Sequence, residues 1–235
     1  MKTIGILGGM GPAATCDLME KIIGYTAAAR DQDHIPMLAD VNTRIPDRTA
    51  AILNHGADPL PEMLASAGRL EAAGADFLIM PCNTAHYFYD CIQEKLGIPL
   101  LHMPRLTAQT LREAGVKKAG VLATDGTVQS GVYAAALAAE GVESVYPEAE
   151  DQQQIMRLIY DGVKARRLAL SEIPLRDILR RMRAAGAEKF LLACTELPLA
   201  FQELGISEDC LDPTRVLALA AARTAGAETV TDSPW

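Results

Sequence analysis

Two cysteines are set apart by their surroundings. Cys82 lies in the stretch GADFLIMPCNTAH (residues 74–86) and Cys194 lies in GAEKFLLACTELP (residues 186–198). Each follows Ala-Ala-Gly-Ala-acid and an apolar run, and small polar residues come next. A single unpaired cysteine at such a place is ordinarily core filler, since thiols behave as small buried hydrophobes. Repetition of the whole device 112 residues later asks for another reason. A cysteine titrates at about pH 8.5 when unperturbed, so modest tuning sets a thiolate beside a thiol near neutral pH. Two such groups on opposite sides of one carbon remove a proton from one face and return it to the other, which is the chemistry of racemisation or epimerisation. Each sulfur precedes an apparent helix start, where backbone N–H groups stabilise a thiolate or a bound carboxylate.

The other three cysteines, Cys16, Cys91 and Cys210, form no CxxC pair with these or with each other. The odd count and the spacing argue for reduced thiols rather than a disulfide framework, and they offer no zinc pattern. His86 follows Cys82 by four residues. A Cys82–His86 pair would suggest acyl transfer, but the second stretch has Leu197 and Pro198 near the matching place, so the pairing is not duplicated. His34, His55 and His102 carry no motif and read as loop or cap residues. The opening GGMGPAAT lacks the G-x-G-x-x-G spacing of a dinucleotide fingerprint. It reads better as a glycine loop that lets backbone approach a small ligand. Among the cations, Arg48 lies in NTRIPDRTAAI, read as a loop past a strand end, and Lys164 lies in YDGVKARR. An arginine holds a carboxylate by two parallel hydrogen bonds, yet spacing alone leaves Arg44, Arg166 and Arg167 equally eligible.

A net charge of −8 over 235 residues argues against a general nucleic-acid or anionic-membrane surface. No run of about 20 apolar residues marks a membrane span. Glycines and Pro12 interrupt the apolar start too early for a signal peptide. A cytoplasmic protein is expected.

These residues are positioned by alternating elements. Strands are expected at KTIGILGG, MLADVNT, DFLIMPC and PLLHM, then at KAGVLATDGT (ending in a polar loop), ESVYP and KFLLACTE. Helices are expected at AATCDLMEKIIGYTAAA, PLPEMLASAGRLEAAG, HYFYDCIQEKLG, SGVYAAALAAEG, EDQQQIMRLIYDGVKAR, IPLRDILRRMRAAG and near RVLALAAARTAG, with CLDPTR as a loop and the tail TDSPW disordered. Such alternation indicates an α/β fold with mainly parallel sheets. Gly5 lies 77 residues before Cys82, and the matching Gly120 lies 74 before Cys194. Two pseudosymmetric lobes follow: residues 1–103 plus 212–235, and residues 104–211, with the last helix returning to the first lobe. Ligands sit at the carboxyl ends of strands in open α/β sheets, so a pseudo-twofold axis would face the two cysteines across an interlobe cleft.

The segments IGILGGMGPAAT, IPDRT, MPCNTAH, VLATDGTVQSGVY, IYDGVKA and ACTELP, in this order and over nearly the whole chain, resemble the aspartate branch of the cofactor-independent aspartate/glutamate racemase superfamily. The resemblance implies an interlobe active site, no pyridoxal phosphate or other cofactor, no metal, an amino-acid substrate and a homodimer. It implies that Cys82 and Cys194 are the two acid/base thiols and that Arg48 and Lys164 hold the substrate side-chain carboxylate. Met10, Asn83, Thr84, Thr124, Thr127 and Thr195 would line the pocket and supply donors to the α-carboxylate. Glutamate racemases resemble the chain at the cysteines but carry an Asp-Ser-Gly loop near the start and a histidine after the second Cys-Thr. Here Gly8-Gly9-Met10-Gly11 and Glu196 stand in those places. Some broad-specificity relatives replace the first cysteine by threonine, whereas Cys82 is present. Related decarboxylases and maleate isomerases share the scaffold, and the IPDRT and GVKA segments argue against them. The expected activity is interconversion of L- and D-aspartate. A broad aspartate/glutamate racemase, an amino-acid-binding module without catalysis and a thiol hydrolase are the alternatives.

Overall fold

The structure, a computed structural model, describes residues 1–206 and 209–235. Strand β1 (Ile4–Gly8) is followed by helix α1 (Pro12–Tyr25), which Pro12 can open because the first-turn N–H it lacks has no helical partner. Strand β2 (Met37–Val41), helices α2 (Arg48–Leu53) and α3 (Leu60–Ala72), strand β3 (Phe77–Ile79) and the short helix α4 (Tyr89–Gln93) complete the first sheet's surroundings. Helix α5 (Met103–Glu113) leads to strand β4 (Lys118–Ala123), helices α6 (Asp125–Ser130) and α7 (Val132–Ala139), strand β5 (Glu143–Val145) and helix α8 (Ala149–Arg157). Helix α9 (Leu175–Ala184), strand β6 (Lys189–Ala193), helix α10 (Leu197–Glu203), strand β7 (Cys210–Leu211) and helix α11 (Pro213–Ala225) end the chain.

Both sheets are parallel, and their orders are β2-β1-β3 and β5-β4-β6-β7. A single parallel bridge, Leu78 to Leu100, sits where a fourth strand would extend the first sheet. The two sheets therefore repeat one order, second-first-third-fourth, as the duplicated sequence predicts. Gly5 and Gly120 occupy matching places in β1 and β4. A side chain at Gly5 would collide with Leu78 and Ala75, and one at Gly120 with Phe190 and Ala187, so in both lobes a helix-to-strand corner presses onto the central strand.

Among the described residues, four apolar clusters fill the layers. Two flank the first sheet: Leu18, Ile22 and α11 cover one side, and Met63, Ala67 and Leu70 of α3 the other. The second sheet is covered by Ile155, Ile178 and Leu179 on one side and by Ala108, Leu111 and Leu137 on the other. Helix α11 straddles both lobes. Leu217, Ala218, Ala221 and Ala222 pack with Ile4 and Ile6, while Val216 joins the cluster around β4. An ionic knot fixes its start: Lys21 Nζ lies 2.6 Å from Asp212 Oδ2 and 2.6 Å from Thr214 Oγ1, and it also bonds Asp17.

Several expectations need correction. PLLHM forms the lone bridge at Leu100 rather than a strand. HYFYDCIQEKLG is broken into a 3-10 turn, Thr84–Phe88, and α4. The helix expected through GVKA changes at Leu158 into a π-helical segment, Leu158–Lys164. Arg48 opens a helix, because Asp47 caps it by accepting the Ala50 N–H at 2.8 Å. Thr124 likewise accepts the Thr127 N–H at 3.3 Å and turns the expected polar loop into α6. Within CLDPTR, Cys210 and Leu211 form β7. Helix α5 has no counterpart in the sequence reading. The tail is docked: Asp232 pairs with Arg223 at 2.6 Å, Pro234 is buried, and Lys189 Nζ stands 5.5 Å from the Trp235 ring centre.

Lys21→Met would leave Asp17 and Asp212 close together with their shared cation gone. Removing one partner of a largely buried ionic network costs about 2–3 kcal/mol, at the lower end for such pairs because solvent still reaches these groups. The melting temperature should fall by about 5–10 °C in a thermal unfolding experiment. Arg167→Ala, which removes the exposed pair to Asp161, should change it by less than about 2 °C.

Candidate active site

One cavity collects residues from both lobes: Met10, Asp47, Arg48, Thr49, Cys82, Asn83, Thr84, Thr124, Tyr160, Lys164, Cys194, Thr195 and Glu196. They arrive in pairs that repeat the sheet order. Met10 follows β1 and Thr124 follows β4. Arg48 follows β2, and Lys164 follows β5 by way of α8. Cys82 follows β3 and Cys194 follows β6. A larger groove beside the π-helical segment, lined by Val163, Leu168 and Leu199 among others, holds neither cysteine. Among the described residues no group of three metal-ligating side chains converges, and no helix is long and apolar enough to cross a membrane.

The thiols are both buried, Cys82 at 5% and Cys194 at 6% exposure. Their settings differ. Cys194 Sγ donates to Glu196 Oε2 at 3.0 Å, and Thr195 Oγ1 donates to the same oxygen at 3.3 Å. Burial first, and then the Glu196 carboxylate, push the Cys194 thiol well above its ordinary range against the opposing pull of Lys164. The helix-start tuning expected from sequence is thus overridden at Cys194. The segments after the two sulfurs are a five-residue 3-10 turn and the seven-residue α10, and the field of so short a helix is small beside an adjacent carboxylate.

Arg48 is only 7% exposed. Its Nη1 donates to the carbonyls of Ile45 (3.2 Å) and Pro46 (2.7 Å), and its Nη2 donates to that of Met10 (3.3 Å). Its Nε is buried without a partner. Lys164 is exposed as a residue, but its side chain is 28% exposed, and Nζ lies 3.7 Å from Glu196 Oε1 and 4.8 Å from the centre of the Tyr160 ring. Burial alone would pull the ammonium down; Glu196, and Cys194 after it, outweigh burial and hold it above its ordinary value. The structure thereby separates Arg48 and Lys164 from Arg44, Arg166 and Arg167, which are exposed and line no part of this cavity.

Asn83 is 2% exposed. The Tyr133 hydroxyl donates to its Oδ1 at 2.5 Å, which leaves Nδ2 as a second buried donor without a partner. Thr84, Thr124 and Thr127 join Oγ1 to Oγ1 at 3.0, 2.8 and 3.2 Å. Thr127 does not line the cavity; it holds the other two from behind. Tyr160 donates to Asp47 Oδ2 at 3.2 Å. These three sets of bonds cross from one lobe to the other and hold the cleft shut.

The Gly8–Gly11 loop brings Met10 to the cavity, and the positive φ of Gly9 (93°) serves a close approach to the backbone of Asn42. His86 is not paired with the Cys82 thiol. Its Nδ1 lies 2.8 Å from the Cys82 carbonyl oxygen, and its Nε2 accepts the Met103 N–H at 3.2 Å. That network assigns the proton to Nδ1. Burial, and then His102, drop the His86 pKa to about 3, so the ring is a neutral brace between the Cys82 loop and α5. His102 caps α5, accepting the Arg105 N–H at 3.2 Å, as a cap residue should. Sequence reasoning gave no role to Asp47, Thr49, Tyr160, Glu196 or Tyr133. The first four lie inside IPDRT, IYDGVKA and ACTELP, beside residues that were singled out. Tyr133 closes VLATDGTVQSGVY and had no signal of its own.

Residues 7–221 match the Asp/Glu/hydantoin racemase family. The broad specificity amino-acid racemase of Bacillus subtilis (strain 168) is 29% identical over 94% of this chain and 97% of its own. Among solved structures, the aspartate racemase of Picrophilus torridus is 31% identical, covers 97% of this chain and 96% of its own, and superposes with a TM-score of 0.84. An aspartate racemase homologue from Pyrococcus horikoshii OT3 is 25% identical, with coverage of 96% and 100% and a TM-score of 0.76. With a family match running through nearly all of both lobes, the chain belongs to the Asp/Glu/hydantoin racemase family and is an amino-acid racemase.

Proposed function

We propose that the chain interconverts L- and D-aspartate by a two-base 1,1-proton transfer without a cofactor, with Cys82 and Cys194 as the proton carriers. The observation that supports this reading is the convergence of two buried thiols and two cations, in symmetry-matched pairs, on one closed cavity. Two cations suit a dicarboxylate better than a monocarboxylic amino acid. The free Nε edge of Arg48 and the Lys164 ammonium take the side-chain carboxylate. The orphaned Asn83 Nδ2, with the hydroxyls of Thr84, Thr124 and Thr195, takes the α-carboxylate. Met10 and Thr127 shape and brace the pocket.

The difficult step is removal of a weakly acidic Cα proton. One cysteine, as thiolate, takes it, and the electron pair left on Cα spreads into the α-carboxylate. The other cysteine, as thiol, delivers a proton to the opposite face. Donors already fixed around the α-carboxylate stabilise the negative charge that grows there, and do so more strongly with water excluded. The interlobe bonds must open for substrate to enter, so lobe opening and closing is part of each turnover. A second reading, a broad amino-acid racemase, draws support from the similarity to the Bacillus subtilis racemase; substrate range decides between the two.

Purified protein with L-aspartate in D2O, without pyridoxal phosphate or metal, should yield D-aspartate carrying deuterium at Cα. Equal or faster turnover of several other amino acids would favour the broad reading, and absence of both inversion and exchange on aspartate would reject the narrow one. Cys82→Ala and Cys194→Ala should each lower racemisation by about 10²–10⁴-fold; undiminished turnover in either rules out the two-base scheme. Arg48→Ala should raise KM for aspartate by about 10- to 100-fold, the worth of a charge-assisted hydrogen-bonded contact. Its effect on alanine, where alanine reacts, should be far smaller, and equal effects would remove Arg48 from side-chain recognition.

A further inference from the structure

Tyr133 does not line the cavity, yet it holds a side chain that does. It lies on α7 in the apolar cluster around β4 and is 1% exposed. Asn83 follows β3 and faces the cavity. The Tyr133 hydroxyl and Asn83 Oδ1 are 2.5 Å apart. That separation fits an O–H···O bond and is too short for N–H···O, whose range begins at about 2.7 Å. The amide therefore turns its oxygen to the tyrosine. Burial pushes the Tyr133 hydroxyl well above its ordinary range, so the donated proton is kept. Thr107, beside that hydroxyl, gives its own proton to the Met103 carbonyl at 2.8 Å and has none to give to Tyr133.

The other end of the amide, Nδ2, is buried with no hydrogen-bond partner. The two ends of a side-chain amide differ little in shape, so hydrogen bonds alone decide which way it faces. Here one bond, to a residue behind the cavity wall, makes that decision. It leaves a pair of N–H donors desolvated and unpaired, an arrangement that is unfavourable until a ligand accepts them.

We propose that Tyr133 is a positioning residue for racemisation: its hydroxyl fixes the Asn83 amide with the oxygen turned away from the substrate α-carboxylate and Nδ2 turned toward it. This deepens the proposed function and rests on its placing of that carboxylate at Asn83. The α-carboxylate gains negative charge as the Cα proton leaves. A donor already fixed there lowers the barrier without reorganising during the reaction. An amide free to turn would present its oxygen part of the time, and that oxygen repels the growing charge. The group recognised is common to every α-amino acid, so this role does not depend on which side chain the substrate carries.

The test is a double-mutant cycle of Tyr133→Phe and Asn83→Ala, with kcat and KM measured for each variant. Tyr133→Phe keeps the ring that fills the core and removes only the hydroxyl. It should lower kcat by about 5- to 30-fold while KM stays within about threefold, because the contact strengthens as charge develops. Asn83→Ala should lower kcat by about 10²–10³-fold, the worth of one fixed donor. Adding Tyr133→Phe to Asn83→Ala should then change kcat by less than about twofold. Equal losses in both backgrounds, or an effect on KM alone, overturn the proposal. Asn83→Asp reads the orientation itself. It keeps the shape and the acceptor facing Tyr133 but sets an oxygen where Nδ2 was, so its kcat should fall at least as far as that of Asn83→Ala. Activity close to wild type in Asn83→Asp would mean that the oxygen end faces the substrate, which also overturns the proposal. Tyr146 packs against the same apolar cluster and lines no part of the cavity. Tyr146→Phe should leave kcat unchanged, and a loss equal to that of Tyr133→Phe would assign both to packing. A wild type inactive on aspartate would remove the dicarboxylate reading; the cycle, run on the amino acid that is racemised, then decides the role of Tyr133 separately.

Discussion

A guanidinium at 7% exposure with no carboxylate among its described partners is a costly thing to fold. Arg48 is tolerated because three backbone carbonyls, from Ile45, Pro46 and Met10, accept its protons. Those carbonyls point inward only if the loop after β1 and the approach to α2 take fixed paths, and the Asp47 cap and the Gly9 turn serve that end. Dipoles soften the charge without cancelling it. The first lobe therefore presents an incompletely neutralised cation on the cleft, and an anion entering there meets a positive site already desolvated during folding. Lys164 on the other lobe is handled differently, with a carboxylate of its own beside it. One cation is held by backbone carbonyls alone, and the other stands beside a carboxylate.

Duplication governs the scaffold, and divergence governs the site. The two sheets share a strand order, their central glycines meet equivalent neighbours, and the pocket side chains come from matching loops. What fills those loops is not symmetrical. A guanidinium opposes an ammonium, and Asn83-Thr84 oppose Thr195-Glu196. An amino acid has no twofold symmetry except for the near-mirror relation of its enantiomers at Cα. A pocket with two matched thiols and unmatched polar groups suits the proposed reaction, in which both hands of one substrate are served while its carboxylates are told apart.

Much of this was legible in the sequence. Apolar β-rich runs bounded by glycines marked the parallel strands, and the repeated Ala-Ala-Gly-Ala-acid corner marked the duplication and its cysteines. The losses have physical reasons. PLLHM is apolar enough for a strand but pairs at one residue only. Helix α5 hides because its buried face is broken by Thr107, whose hydroxyl is satisfied internally by the Met103 carbonyl at 2.8 Å. The π-helical segment is invisible to a pattern based on 3.6 residues per turn, and it sets the placement of Tyr160 and Lys164. Glu196 is marked in the sequence only as the residue standing where glutamate racemases carry a histidine, and Asp47 is not marked at all; their bonds to Cys194 and Tyr160 emerge only in the structure. His86 misleads through spacing, since its ring addresses the Cys82 carbonyl instead of the sulfur.

Helix α11 comes from the last part of the chain, yet it is a wall of the core built around β1 and α1. The second sheet, β4 to β7, and its two apolar clusters come from a nearly continuous stretch of the chain. The amino-terminal sheet is made first during synthesis, but it stays open along the side of Ile4, Ile6 and Ile22 until residues 213–225 emerge. Order of synthesis and order of completion are thus reversed: the lobe translated first closes last. Until then its exposed flank is the segment of a nascent chain most in need of shelter from aggregation. A chain cut short before Pro213 would carry both cysteines of the cleft and still lack a finished amino-terminal lobe in which to set the first of them.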